Sequence, residues 1–234
     1  RNRLQRGGID VTGDAWDIDD VMPPPDRSHA TVLFTYQSHP LSEIVQPLLK
    51  DSINLYAEAV MRLNAAPGAW PTNDAALAGF RGRLEAWGIE ADAQQVIDGS
   101  GLSRRNVISA EALLAILQRM QDPAAASPFV RGLPIAGVDG SLANRMRESP
   151  AAGNVRAKTG TMSNIRSLAG YVTTRDGEHL AFVAMVNNFE GSGTSANQAL
   201  DAIAIHLASF SRSPGSLCPA FGRAGAPPSP PPPP

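Results

Sequence analysis

Apolar residues recur at helical spacing in five separate stretches of this chain, and each stretch predicts an amphipathic helix. The stretches are residues 41–49, 55–63, 77–87, 113–120 and 200–210. Pro47 lies inside the first stretch, where we expect a kink, and Ser109 is a suitable N-cap for the fourth. Small polar residues between the first two helices predict a turn, which can present Ser52 and Asn54 on one side of a cleft.

Three β-rich runs separate the fourth and fifth helices. They cover residues 155–161, 167–174 and 179–187. Asp176-Gly177 stands between the second and third runs, and Asp-Gly in this position is a strong hairpin signal because glycine adopts positive φ at no steric cost. The middle of the chain therefore predicts helices followed by a β-hairpin and a closing helix.

The two ends of the chain have weaker patterns. Near the N-terminus the expectations are a helix end at 4–7, strands at 9–13 and 30–36, and a charged, proline-bearing linker at 17–26. Residues 213–234 are dominated by proline and glycine, which predicts an extended, disordered tail.

Composition excludes several classes of function. With 234 residues, 43% of them hydrophobic, the chain can bury one sizeable core. Its net charge of −2 gives no basic field for nucleic acid, and no apolar run is long enough for a transmembrane segment. Cys218 is the only cysteine and the four histidines lack ligand spacing, so we expect no metal and no cofactor. The start at Arg1, without an initiator Met or a secretory signal, suggests a processed product or a fragment.

Lys158-Thr159-Gly160, followed by Thr161, is the segment with the clearest candidate chemistry. Lys158 is one of only two lysines and stands in a β-rich run. A cationic lysine and a threonine hydroxyl on a strand can bind a carboxylate, and a glycine lets a substrate backbone approach. The segment therefore predicts a binding place for the anionic end of a substrate.

Five motifs in order carry a resemblance to a known family. They occupy residues 40–44, 50–58, 98–104, 137–142 and 157–160, and they include Ser52-Ile53-Asn54 and Lys158-Thr159-Gly160. Over about residues 1–210 the chain resembles the class C low-molecular-mass penicillin-binding proteins, which are D-alanyl-D-alanine carboxypeptidases/endopeptidases of the penicillin-binding protein 4 type. The resemblance implies an α/β (α+β) fold, the serine β-lactamase/DD-peptidase-like penicillin-interactive domain, with an antiparallel sheet flanked by helices.

One family motif is absent from the sequence. The family's nucleophile lies in a Ser-x-x-Lys, yet the residues three before the two lysines are Pro47 and Val155. We therefore expect the C-terminal part of an enzyme, incomplete at its N-terminus and inactive alone. Residues 1–28 would end a domain inserted between the first two motifs, 29–212 would belong to the DD-peptidase domain, and 213–234 would be the tail. The N-terminal portion of the same protein would complete the site and pair with the strand at 179–187.

The resemblance also implies a role for each matching residue. Ser52 would relay a proton to the leaving group, and Asn54 would hold the substrate's acyl-side carbonyl or fix the catalytic lysine. Lys158 would add positive potential and support the Ser52 hydroxyl. The substrate-binding residues would be Thr159, for the carboxylate, Gly160, and Thr161, whose N–H would form half of an oxyanion hole. The implied partners are peptidoglycan stem peptides and β-lactams, in the periplasm or cell envelope.

Simpler interpretations exist for most of these residues. Ser52 and Asn54 also suit ordinary helix caps, and Tyr56 suits the core. Glu58 and Arg104 either form a solvated pair or shape the cleft. The residues that favour turns over catalysis are Asp98, Ser100, Asp139 and Ser141.

Three other functions remain open on the sequence. The first is a non-catalytic binding module that keeps the carboxylate-binding strand without a nucleophile. The second is a β-lactamase or esterase of the same fold, and the third is a plain α/β domain with accidental motifs. The sequence does not separate carboxypeptidase from endopeptidase action.

Overall fold

A computed structural model describes residues 2–14, 16, 23, 31–32, 34–67, 71–121 and 123–212, without the side chains of 123–127. The chain divides into two units, Arg1–Ser38 and His39–Pro234. The expected tail at 213–234 and most of the expected linker at 17–26 lie outside the described residues.

The first unit contains a single short helix among its described residues, α1 (Asn2–Arg6). The expected strand at 9–13 is wrong, and the described residues of the expected strand at 30–36 have no regular structure either. A β-rich segment becomes a strand only when another backbone accepts and donates its hydrogen bonds. Within the described part of the chain, no strand pairs with either segment.

The second unit contains six α-helices among its described residues. They are α2 (Leu41–Lys50), α3 (Asn54–Arg62), α4 (Asn73–Ala86), α5 (Ala110–Arg119), α6 (Pro123–Gly132) and α7 (Gly193–Ser209). The five helices predicted from periodicity are confirmed, and Ser109 Oγ accepts the N–H of Ala112 as the expected cap of α5, at 3.1 Å. Helix α6 was not predicted, and it contains Pro128, a residue that disfavours the interior of a helix.

The three predicted strands form one antiparallel sheet. Strands β1 (Arg156–Met162), β2 (Ile165–Thr173) and β3 (His179–Asn187) lie in the order β1-β2-β3. Gly177 has φ +82° in the hairpin between β2 and β3, as the Asp-Gly pair predicted. Lys158 of β1 lies opposite Ala169 of β2.

Apolar side chains cover both faces of this sheet. One face packs against α7 through a buried cluster that includes Leu168, Val172 and Leu200. The other face packs against α2 and α5 through a cluster with Leu49 and Tyr171, and the Tyr171 hydroxyl donates to Leu117 O at 2.7 Å. The sheet is therefore the middle layer of an α/β/α sandwich, with α7 on one face and α2 and α5 on the other.

The apolar side chains in and next to α3 are less buried than their helical spacing predicts. Met61 is buried, yet Leu55 and Leu63 are 74% and 65% exposed, and Tyr56 is also exposed. The expectation that Tyr56 belongs to the core is therefore wrong. The reason is position, because α3 packs on α4 and on the end of α2 rather than on the sheet. No described helix has the length and apolar composition required to cross a bilayer.

Candidate active site

The candidate site lies where β1 meets the turn between α2 and α3. The Lys158 ammonium group donates to Ser52 Oγ at 2.8 Å and to the backbone oxygen of Thr159 at 2.9 Å. Burial lowers the pKa of Lys158 from its ordinary value of 10.5, because removal from water disfavours the charged form. The fold thus joins two predicted site residues that are 106 positions apart in the sequence.

Ser52 has a backbone conformation that few serines adopt. Its φ is +56°, in the left-handed region that disfavours residues with a Cβ atom. Such a conformation persists only where the surroundings enforce it, and it is common at functional sites. The N-cap of α3 is Ile53 and makes no side-chain cap bond, so the interpretation of Ser52 as a helix cap is wrong.

A pair of hydroxyl groups extends the site along β1. Thr159 Oγ1 donates to Ser141 Oγ at 2.9 Å. Ser141 belongs to a 3-10 turn, Gly140–Leu142, that follows Asp139. Ser141 was predicted to be a turn residue, and the structure adds that its hydroxyl lies beside Thr159. Four polar side chains therefore cluster here: Ser52, Ser141, Lys158 and Thr159.

Asn54, Gly160 and Thr161 flank this cluster. Asn54 is the first residue of α3 and is exposed, and in the described part of the chain its side chain makes no hydrogen bond to the four clustered residues. Thr161 lies opposite Arg166 near the end of β1, with its side chain exposed. A Cβ atom on Gly160 would lie 2.2 Å from Ser167 Oγ, so the glycine also makes room for the neighbouring strand.

The sequence analysis did not predict an ion pair that begins two residues before Ser52, at Lys50. Lys50 Nζ contacts Asp139 Oδ2 at 2.6 Å and donates to Leu133 O at 2.7 Å. Asp139 Oδ1 also accepts the N–H of Ile135 at 2.8 Å. The available signal was that Lys50, the only other lysine, stands two residues before Ser52, but only the fold shows its partner.

The glycine-rich loop after Asp98 is fastened to α3 by Glu58. The Glu58 carboxylate accepts the N–H of Ser100 at 2.9 Å and that of Gly99 at 3.3 Å. Hydrogen bonds from the Ser100 side chain and from these two backbone groups outweigh desolvation and lower the pKa of Glu58 below 4.5. Among the described residues no ion pair joins Glu58 to Arg104.

Asp98 stabilises the same loop by accepting hydrogen bonds from residues inside it. Its carboxylate accepts the N–H groups of Gly101 and Ser103, both at 2.7 Å, and the side-chain amide of Asn106 at 3.0 Å. Burial alone would raise the pKa of Asp98, but these hydrogen bonds reverse the effect and lower it. Asp98 is therefore a turn-forming residue, as predicted. The described residues contain no group of three or more His, Cys, Asp or Glu side chains suited to hold a metal ion.

Comparison with known proteins places this chain in a family. The D-Ala-D-Ala carboxypeptidase 3 (S13) family matches residues 1–209. The D-alanyl-D-alanine carboxypeptidase of Actinomadura sp. (strain R39) is 38% identical over 216 residues, covering 88% of this chain and 38% of that protein. Carboxypeptidase DacB of Mycolicibacterium smegmatis is 34% identical over 190 residues, covering 78% of this chain and 41% of that protein.

A solved structure shows the same fold. Penicillin binding protein 4 (dacB) of Haemophilus influenzae, in complex with a β-lactam, superimposes with a TM-score of 0.67 at 26% identity, over 73% of this chain and 42% of that chain. The chain thus spans about two fifths of the length of the relatives it matches. The expected fold, a penicillin-interactive α+β domain with an antiparallel sheet between helices, is confirmed. The chain belongs to the D-Ala-D-Ala carboxypeptidase 3 (S13) family.

Proposed function

We propose that this chain is the C-terminal part of a penicillin-sensitive serine D-alanyl-D-alanine carboxypeptidase. The enzyme would act on peptidoglycan stem peptides in the periplasm or cell envelope, through an acyl-enzyme. The observation that carries the proposal is the 2.8 Å hydrogen bond from Lys158 to Ser52, with Thr159 beside it on β1. Family membership supports the same reaction class.

Ser52 is proposed to relay the proton that the leaving group needs. Its oxygen accepts a hydrogen bond from the Lys158 ammonium group, so its own O–H remains available as a donor. When the bond between the two D-alanines breaks, the leaving nitrogen takes the Ser52 proton. Ser52 then recovers a proton from a neighbouring lysine of the complete site.

The β1 residues are proposed to bind the terminal carboxylate of the substrate. Lys158 supplies positive charge, and the Thr159 hydroxyl rotates from Ser141 onto a carboxylate oxygen. Asn54 holds the acyl-side carbonyl, and Gly160 admits the substrate backbone. The N–H of Thr161 forms half of the oxyanion hole, where it stabilises the charge that develops on the carbonyl oxygen.

The nucleophile of this reaction would come from outside the sequence. No serine stands three residues before Lys50 or Lys158, which are the only lysines. We therefore propose that a preceding portion of the polypeptide supplies the Ser-x-x-Lys, with the other half of the oxyanion hole, and that this chain alone is inactive. Its relatives, which are more than twice as long, leave room for such a portion.

Labelling with a fluorescent penicillin, followed by peptide mapping, tests the proposal on the full-length protein. An adduct on a serine of a Ser-x-x-Lys upstream of Arg1 would support it. Replacing Lys158 with Ala should then slow labelling by about 10- to 100-fold, the range expected for a hydrogen bond to a charged group.

Two outcomes would contradict the proposal. An adduct on Ser52 would mean that the nucleophile is wrongly assigned. A folded full-length protein that binds the reporter reversibly and forms no adduct would instead be a non-catalytic binding module.

A further inference from the structure

Lys50 ends α2 two residues before Ser52, and its ammonium group is fully engaged away from the site. It donates to Leu133 O at 2.7 Å and to the Asp139 oxygens Oδ1 and Oδ2 at 2.7 and 2.6 Å. The lysine side chain is only 19% exposed. A lysine has three N–H donors, so this ammonium group has none left for a substrate.

Asp139 joins that ammonium group to the second loop of the site. Its Oδ1 accepts the N–H of Ile135 at 2.8 Å, and Asp139 directly precedes the turn that carries Ser141. Gly140 has φ +55°, and a Cβ atom there would lie 2.8 Å from Lys50 O. The two backbones are therefore in close contact at the ion pair.

The pair thus connects the two loops whose hydroxyl groups meet β1. Ser52 follows Lys50 and bonds to Lys158, while Ser141 follows Asp139 and bonds to Thr159. Ser52 also has a left-handed φ of +56°, which the surrounding structure must maintain. Displacement of a catalytic group by about 1 Å can cost about 100-fold in rate.

We infer that Lys50 and Asp139 are positioning residues, which fix Ser52 and Ser141 against β1 without touching the substrate. The inference rests on the proposed function, because it assigns the pair a role in that reaction. A purely structural role would make the pair interchangeable with any other part-buried ion pair of the same unit.

The chain offers such a pair as a control, and its acidic residue is more buried than Asp139, which is 37% exposed. Arg145 Nη2 and Asp201 Oδ1 are 2.7 Å apart, and the two side chains are 16% and 18% exposed. This pair links the segment after the Ser141 turn to α7. The control variants are Arg145→Met and Asp201→Asn. The test variants Lys50→Met and Asp139→Asn remove charge in the same way, and Asp139→Asn keeps an oxygen for the N–H of Ile135.

The experiment measures β-lactam acylation, and kcat and KM for a D-alanyl-D-alanine peptide, on the full-length protein well below its melting temperature. For Lys50→Met and Asp139→Asn we expect kcat to fall by about 10- to 100-fold, with KM changed by less than about threefold. The double variant should lose no more than the worse single variant, because both remove one shared interaction. Lys50→Arg should recover part of kcat, and the control variants should keep the acylation rate.

The outcomes separate the inference from the proposed function. A wild-type protein that neither acylates nor cleaves the peptide contradicts the proposed function, and the positioning role with it. An active wild type together with a Lys50→Met variant as fast as Arg145→Met contradicts the positioning role alone. If Lys50→Met does not fold, Asp139→Asn decides by the same comparison.

Discussion

Lys158 combines two properties that oppose each other. Burial disfavours its charge, yet its proposed task is to attract a carboxylate, which requires that charge. The hydrogen bonds to Ser52 Oγ and Thr159 O keep the ammonium group oriented. The lowered pKa means that the charge is lost at a pH below the ordinary 10.5 of a lysine.

A pH dependence follows for substrates that carry a carboxylate. As pH rises through the lowered pKa of Lys158, the charge disappears and the preference for an anionic ligand should fall by about 10- to 100-fold. The measurement is the acylation rate of the full-length protein by a penicillin divided by the rate with its methyl ester, followed from neutral to alkaline pH. The ratio cancels other titrations that affect both ligands equally.

The control is Lys158→Arg, because a guanidinium group keeps its charge at every pH of the experiment. Its ratio should stay constant where the wild-type ratio falls. A wild-type ratio that stays constant up to pH 10.5 would show that Lys158 does not bind the carboxylate. The lowered pKa of Lys158 also affects stability. Between this pKa and the ordinary 10.5, the folded state binds fewer protons than the unfolded state, so the free energy of unfolding rises with pH.

At the scale of the sheet, two glycines allow β1 and β2 to lie close together. One leaves room for backbone atoms and the other for a side-chain hydroxyl. A Cβ atom on Gly170 would lie 2.1 Å from Arg156 O and 2.6 Å from the Cα atom of Ala157. These are backbone atoms of β1 and cannot move independently. A Cβ atom on Gly160 would meet the Ser167 hydroxyl, and a hydroxyl can rotate away.

Gly170→Ala should therefore lower the free energy of unfolding by about 3 kcal/mol, the upper part of the range for overpacking. Gly160→Ala should cost about 1 kcal/mol or less, because only one side chain must turn. Urea-induced unfolding of the two variants and the wild-type protein measures the difference. Equal losses in the two variants would contradict the assignment of the Gly170 contact to rigid backbone.

Sequence patterns predicted the elements that local chemistry determines. The helical stripes, the cap at Ser109 and the hairpin at Gly177 each depend on residues close in sequence, and each is confirmed. Helix α6 was missed because tertiary packing outweighs the local effect of Pro128. The strands expected at 9–13 and 30–36 depended on partners that the sequence does not specify.

The candidate site was likewise predictable from the sequence only in part. The motifs around Ser52 and Lys158 indicated the residues, but their 2.8 Å contact depends on packing α2 against the sheet. The Lys50–Asp139 pair spans 89 positions and matches no local pattern, so only the fold could reveal it. The turn residues Asp98 and Asp139 look alike in sequence, and only the structure shows that Asp139 also holds a lysine.

At the scale of the whole molecule, the sheet formed by the described residues has an open edge at β3. Among the described residues, β2 pairs with β3 along His179–Asn187, and no further strand pairs with the other edge of β3. An unpaired edge with apolar side chains tends to recruit another strand, which leads to aggregation when no proper partner is present. The proposed N-terminal portion would supply that partner.

Amide hydrogen exchange tests this expectation directly. In an antiparallel sheet, alternate N–H groups of an edge strand bond to its neighbour and the others point outward. In the full-length protein we expect all amides of β3 to be protected, because both edges are bonded. In the isolated chain the outward-pointing amides should exchange fast, and the chain should self-associate until the N-terminal portion is added in trans.

A monomeric isolated chain with one cooperative melting transition would contradict the dependence on that portion. Alternating protection of β3 in the full-length protein would show that this edge stays open.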